Sequence, residues 1–405
     1  MMSRGRLAFV ILSLVVVFTL TAGTMVAASN QGDDAKDSPY KSLAVFMEVF
    51  GLVHKAYVDE PDPETLLAGA FEGTLDALDP FSQSVPASAG DAWKSARSID
   101  TSRSGLLVLK ERGVAYVVAV EEGSPADDAG LIQGDILSEI DGVATRATPL
   151  FVIHQRLAGE PGTVVRLERL RQGEKESVEV TLAEYARPAV QLAAQRGVGV
   201  LRVPGFFDGT YESVAASLDT LDQGAEALPG LEHAAKLVVD LRGVAGGDEA
   251  VAYRIAGLFA SGELGVLDRR GEAIEVFRSA ADASIWDGRL AILVDRGTQG
   301  AAEILAAVLA QSADAVLLGE PSFGHSGRQD FVELSDGSRL RITDAFFTGP
   351  DRAPITESLA PDVRVRRAFG EPEEGEELKD PVMERSLTFL IDDETLDEEE
   401  LEQAA

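Results

Sequence analysis

Reactive side chains gather in two short stretches of this chain. The first reads Gly297-Thr298-Gln299-Gly300-Ala301-Ala302-Glu303-Ile304, and the second Phe323-Gly324-His325-Ser326-Gly327-Arg328-Gln329. Together they offer hydroxyls at Thr298 and Ser326 and an imidazole at His325. A neutral histidine can take a hydroxyl proton near pH 7, so this is raw material for nucleophilic catalysis. Adjacent residues on a loop seldom point at one another, which makes Ser326 and His325 a poor pair. Thr298 reads better as a capping residue at the start of the following helix. A third stretch, Asp240-Leu241-Arg242-Gly243-Val244-Ala245-Gly246-Gly247, is rich in glycine.

The surrounding pattern shows what must position these residues. Leu43, Phe46, Met47, Phe50, Val53 and Tyr57 recur at helical spacing, and Pro61 and Pro63 then break the chain. A second helix carries Leu67, Ala70, Phe71, Thr74, Leu75 and Leu78 on one face. It stops at Leu78-Asp79-Pro80-Phe81-Ser82, where the residue before proline is pushed out of the helical region. From Gly197 onward, strand-like runs at 199–203, 237–241, 290–294, 316–318 and 340–343 alternate with helical stretches near 211–221, 250–259 and 301–311. Such alternation predicts a βαβ-type core.

Residues 100–185 resemble a PDZ domain. The resemblance rests on Ser104-Gly105-Leu106-Leu107, Gly123-Ser124-Pro125-Ala126, Ala129-Gly130-Leu131, Gly134-Asp135-Ile136-Leu137, Ile140-Asp141-Gly142 and Gly162-Thr163. It implies a partly open β-barrel with helices that binds an extended peptide by strand addition. The peptide's terminal carboxylate would sit on the backbone N–H groups of Gly105, Leu106 and Leu107. Arg103 would either add charge there or serve as an ordinary surface arginine.

The three glycine- and hydroxyl-bearing stretches together resemble the C-terminal processing peptidases, or tail-specific proteases, which are PDZ-containing serine peptidases with a Ser–Lys dyad. The resemblance covers about residues 40–390. It implies a multidomain α/β protein: an N-terminal helical segment, the PDZ domain, and a crotonase/Clp-like α/β peptidase core. The family pattern Gly-Ser-Ala-Ser-Ala-Ser-Glu-Ile, set on Glu303-Ile304, places the nucleophile at Gly300. Phe-Gly-Lys-Gly-x-x-Gln places the general base at His325 and its supporting residue at Gln329. Asp-Leu-Arg-Gly-Asn-Pro-Gly-Gly falls on Asp240 to Gly247, with Val244 for Asn and Ala245 for Pro. There Gly243, Gly246 and Gly247 supply either oxyanion-hole N–H groups or only a tight packing turn.

Both reactive side chains are therefore replaced. Glycine cannot form an acyl-enzyme, and a base without a nucleophile leaves little catalysis. The expectation is a family member without peptidase activity that binds protein C-termini. The rival is a serine-type endopeptidase working near apolar C-termini through a rearranged site at Ser326 and His325, or at Thr298. Expected partners are C-terminal peptides of exported proteins and an active protease paralogue.

Composition narrows the field further. The net charge of −32 excludes a nucleic-acid binder, since a polyanion needs clustered Lys and Arg. Cysteine is absent, and His54, His154, His233 and His325 lie at no ligand-like spacing, so neither metal nor cofactor is expected. Residues 371–405 hold 15 Asp and Glu against Lys379 and Arg385, the pattern of a solvated acidic tail with a short helix. At the other end, Arg4 and Arg6 precede an apolar run that extends over 22 residues from Leu7 to Ala28. Residues 1–28 therefore read as a signal peptide or an uncleaved membrane anchor, and either one exports the protein to the periplasm or cell envelope. The expected layout is completed by a linker and helical region at 29–99, the PDZ domain at 100–185, the core at 186–370 and the tail at 371–405.

Overall fold

The hydrophobic pattern resolves into three sheets in a computed structural model that describes residues 39–89, 103–280, 285–366 and 380–392. The leader at 1–28, the polar linker and most of the acidic tail lie outside the described residues. The chain divides into two units, residues 1–71 and 72–405. Helix α1 spans Pro39–Ala56 and α2 spans Pro63–Asp76. Along α1, Leu43, Val45, Phe46, Met47, Val49 and Leu52 are exposed. The turn after α2 is built by Asp79, whose carboxylate accepts from Phe81 N at 2.8 Å and Ser82 N at 2.7 Å. Strand β1, Gln83–Val85, follows at once.

The second sheet is the PDZ domain. Strands β2 (Leu106–Glu111) and β3 (Val114–Val120) form a hairpin, and helix α3 (Pro125–Asp128) follows. Proline at the first helical turn and the Ser124 hydroxyl accepting from Asp127 N start α3. Next come β4 (Ile136–Ile140), β5 (Val143–Ala144), α4 (Leu150–Leu157), β6 (Val164–Arg171) and β7 (Glu174–Thr181). The sheet order is β2-β3-β4-β6-β7, with β5 paired to β4. Inward residues such as Val108, Val117, Leu137, Ile153, Val165 and Leu167 make its separate core.

The remaining chain builds an α/β core. Its elements are β8 (Gln191–Gln195), β9 (Val198–Arg202), α5 (Thr210–Asp222), β10 (His233–Asp240), α6 (Glu249–Ala256), β11 (Glu263–Arg269), β12 (Glu272–Arg278) and β13 (Arg289–Val294). Then follow α7 (Ala301–Ser312), β14 (Val316–Gly319), β15 (Gly327–Glu333), β16 (Arg339–Phe347), β17 (Val363–Arg364) and α8 (Pro381–Ile391). One sheet runs β17-β14-β13-β10-β9-β8 and is parallel except at the β8–β9 pair. Alternate residues serve its two faces. Leu201, Val239, Ile292 and Leu317 join α5, α6 and α7, while Val200, Val238, Leu293 and Leu318 join α8.

That last contact corrects the reading of residues 371–405 as a solvated acidic tail. Val382, Met383, Leu387, Phe389 and Leu390 of α8 are buried against the sheet, so the described part of the tail belongs to the core. A handful of apolar residues at helical spacing outweighs the acidic composition around them. The antiparallel sheet β1-β16-β11-β12, with β15 on β16, places the turn at Asp79 beside the α/β core.

Candidate active site and peptide groove

Three loops converge at the N-terminus of α7. A parallel bridge joins Ala245 to Gln299, and Gln299 N donates to Val244 O at 3.0 Å. Gln299 Nε2 donates in turn to His325 O at 3.3 Å. The glycine loop, the residue before Gly300 and the His325 loop are thereby tied together. Asp295 anchors the same junction, its Oδ1 accepting from Gly243 N at 2.8 Å and Gly297 N at 2.9 Å. Gly243 thus spends its N–H within the protein. Among the described residues no such bond engages the N–H of Gly246 or Gly247.

Gly300 is the N-cap of α7, with φ 62° and ψ −117°. L-residues adopt that region only under strain, at about 1–3 kcal/mol. A Cβ added there would meet no atom within 4 Å. The backbone therefore enters α7 through a strained position with open space where a side chain would project.

Glu303 holds this turn in place and was used in the sequence only to set register. It is fully buried. Its Oε1 accepts from Ser322 Oγ and Gly324 N, both at 2.5 Å. Its Oε2 accepts from His325 N at 3.1 Å, Gly300 N at 3.2 Å and Ser326 Oγ at 3.2 Å. Burial pushes the carboxyl pKa up, against hydrogen bonds from Ser322, Gly324, His325 and Gly300 that favour the ionised form. A glutamate three residues past the cap is a known helix-start signal, and it could have found this role.

His325 is buried, and its pKa is lowered because burial disfavours the charged ring. The ring stacks on Phe81 and meets Phe346 edge-on, with centroids at 4.5 Å and 5.4 Å. Nε2 faces Thr343 Oγ1 at 3.4 Å, and that hydroxyl accepts from Gln329 Nε2 at 2.9 Å. Gln329 hence reaches His325 through Thr343, a residue the sequence did not single out. The hydroxyls proposed for a rearranged site are engaged elsewhere. Ser326 Oγ bonds Gly300 O and Glu303 Oε2, each at 3.2 Å. Thr298 is not the helix cap expected of it: its Oγ1 donates to Leu241 O and accepts from Asp295 N, both at 3.0 Å.

At the peptide-binding loop, Gly105 has φ 76°, and a Cβ there would lie 2.0 Å from Ser124 Cβ, so only glycine fits. Leu106 N donates to Ser104 Oγ at 3.2 Å. Leu107 is buried and lies opposite Ala119 in the β2–β3 ladder. Arg103 bonds Gly159 O at 2.7 Å, which makes it a tether within the domain. Gly105 and Leu107 share a cleft of about 70 Å³ with Gly243 and Ala245, so the loop at Gly105 and the glycine loop open onto one space. No cluster of three or more metal-ligating side chains occurs among the described residues.

Comparison with known proteins identifies both domains. Residues 197–365 match Peptidase family S41 and residues 116–171 match the PDZ domain. The chain carries an S41 peptidase fold and a PDZ domain. It is 26% identical over 363 residues to a carboxy-terminal-processing protease of Bartonella bacilliformis, covering 88% of this chain and 82% of that one. A carboxyl-terminal-processing protease of Synechocystis sp. is 33% identical over 249 residues, covering 59% of this chain and 56% of that one. The photosystem II D1 C-terminal processing protease superposes with a TM-score of 0.61 at 25% identity, over 80% of this chain and 92% of that structure.

Proposed function

We propose that this protein is a catalytically silent S41 homologue that binds protein C-termini through its PDZ domain and does not cleave them. The observation that carries the reading is Gly300. The turn, the helix start and the Glu303 cage are in place, and the side chain that would attack a peptide is missing. His325 adds to it, since its ring is stacked on Phe81 and turned to Thr343. Its partners are C-terminal peptides of exported proteins, with an active protease paralogue as the enzyme it would regulate. The basic and apolar leader motivates export to the periplasm or cell envelope, cleaved or anchored at residues 1–28.

The test is incubation of the native protein with an unstructured substrate ending in apolar residues, beside a Gly300→Ser, His325→Lys double variant. The reading expects no cleavage by the native chain. Native cleavage that vanishes in His325→Ala or Ser326→Ala overturns it. Cleavage by the double variant alone would show a site frame kept in working geometry.

A further inference from the structure

The β2 edge on which a peptide would add is occupied in the free protein. Val117 N donates to Asp135 O at 2.8 Å, and Val117 O accepts from Gly134 N at 2.9 Å, so Val117 points its polar groups away from β2. Val117 is the register partner of Val108. That makes Val108 a non-hydrogen-bonded position of the β2–β3 ladder, with its own N–H and C=O facing outward. The outward carbonyl is already taken: His154 Nε2, from α4, lies 2.7 Å from Val108 O. One position pair further on, Lys110 Nζ donates to Thr148 O at 3.0 Å, just ahead of α4.

A strand added to β2 would lie about 4.8 Å away and direct an N–H at the same carbonyl oxygen, where the imidazole now lies. Ligand residues bond alternate positions of the edge strand, so a peptide seated at Leu106 next meets Val108. With α4 held this close, there is no room for that second pair of bonds.

We propose that His154 is a latch that closes the PDZ groove, and that a C-terminal peptide binds only by displacing it from Val108. This inference rests on the reading of the PDZ domain as a binder of C-termini. The latch is a single hydrogen bond with a close-packed helix behind it, so it suits a groove that opens at modest cost. A binding-competent state populated at about one part in ten weakens apparent affinity about tenfold.

The test is calorimetry on the full chain with a ten-residue peptide ending in Ala-Leu-Val and with its C-terminal amide. His154→Ala removes the donor and should tighten binding of the free-carboxylate peptide about tenfold. His154→Gln keeps a donor of similar reach and should match the native protein. In native protein, peptide addition should also expose the His154 ring N–H to solvent exchange by NMR, a readout that survives if His154→Ala fails to fold. Equal affinity in all three proteins, with the ring N–H still protected in the complex, overturns the latch but leaves C-terminal binding standing. Weaker binding by His154→Ala also overturns it, because His154 would then be a ligand contact. Peptide binding by none of them sinks the C-terminal reading and the latch with it.

Discussion

Phe81 lies flat on the imidazole of His325, with ring centroids 4.5 Å apart and planes 22° from parallel. The same phenyl ring meets Phe323 edge-on at 5.6 Å and packs in one cluster with Leu107, Leu109 and Leu150 of the PDZ domain. One side chain from the Asp79 turn thus joins His325 to the β2–α4 region. Phe81→Ala should cost about 3–5 kcal/mol, the range for emptying a buried aromatic site. Phe81→Leu, which keeps much of the volume, should cost less. Urea unfolding of the two variants measures both. Equal midpoints for Phe81→Ala and the native protein would remove Phe81 from this role.

Glu303 makes a separate prediction, because five hydrogen bonds end on one buried carboxylate. Glu303→Ala leaves several buried N–H groups without an acceptor and should destabilise by about 3 kcal/mol or more. Glu303→Gln keeps the shape but turns one acceptor into a donor facing backbone N–H groups, so it should destabilise as well. A neutral result for Glu303→Gln in thermal melts would mean that the carboxyl is already protonated.

At Gly300 the expected penalty is conformational, since open space surrounds the position. Gly300→Ala should lower stability by about 1–3 kcal/mol through its positive φ alone. A far larger loss would mean a steric clash, and no loss would mean that the turn relaxes.

How far the sequence speaks can be judged on particular residues. The PDZ domain and the strands around Leu237 and Leu290 were legible because turn glycines and apolar runs are local signals. Glu303 was visible, but only as a register mark. The hydroxyl of Thr298 goes to Leu241, 57 positions earlier, and no cap rule foresees a partner from a distant loop. His154 looked like one of four scattered histidines, since its partner Val108 lies 46 residues away. Long-range pairings of this kind are decided by tertiary packing, and a helical or β period leaves no trace of them.

His154 also gives a pH dependence. Burial of the ring holds its pKa down at about 4, against an ordinary value of 6.5. The folded protein therefore keeps His154 neutral where the unfolded chain takes up a proton. Its contribution is complete above about pH 6.5 and falls as the pH drops toward about 4, by up to ~1.4 kcal/mol per pH unit. Glu249, raised by burial to about 7, acts in the opposite sense over part of that window. The native protein must therefore be compared with His154→Gln. The stability difference between the two should shift against the native protein as the pH falls from 6.5 to 4. A difference that stays constant with pH would show that the ring titrates normally.

The C-terminal helix supplies the last prediction, and it reaches the glycine loop. Asp380 caps α8, accepting from Met383 N at 3.1 Å, and also accepts from Arg242 Nη1 at 2.9 Å. Arg242 is held on its other side by Asp240, and it precedes Gly243 in the chain. Leu387, almost fully buried, fixes the same helix to β9, β10, β13 and β14. Leu387→Ala should cost about 2–5 kcal/mol, whereas a surface substitution on a solvated tail would stay within about 0.5 kcal/mol. Asp380→Ala should cost about 1 kcal/mol for the lost cap and leave Arg242 with Asp240 alone. Amide exchange should then speed up at Gly243 to Gly247 in Asp380→Ala, because the loop loses the anchor behind Arg242. Unchanged exchange there, with α8 still folded, would show that the glycine loop is held by Asp295 and Gln299 without help from the C-terminus.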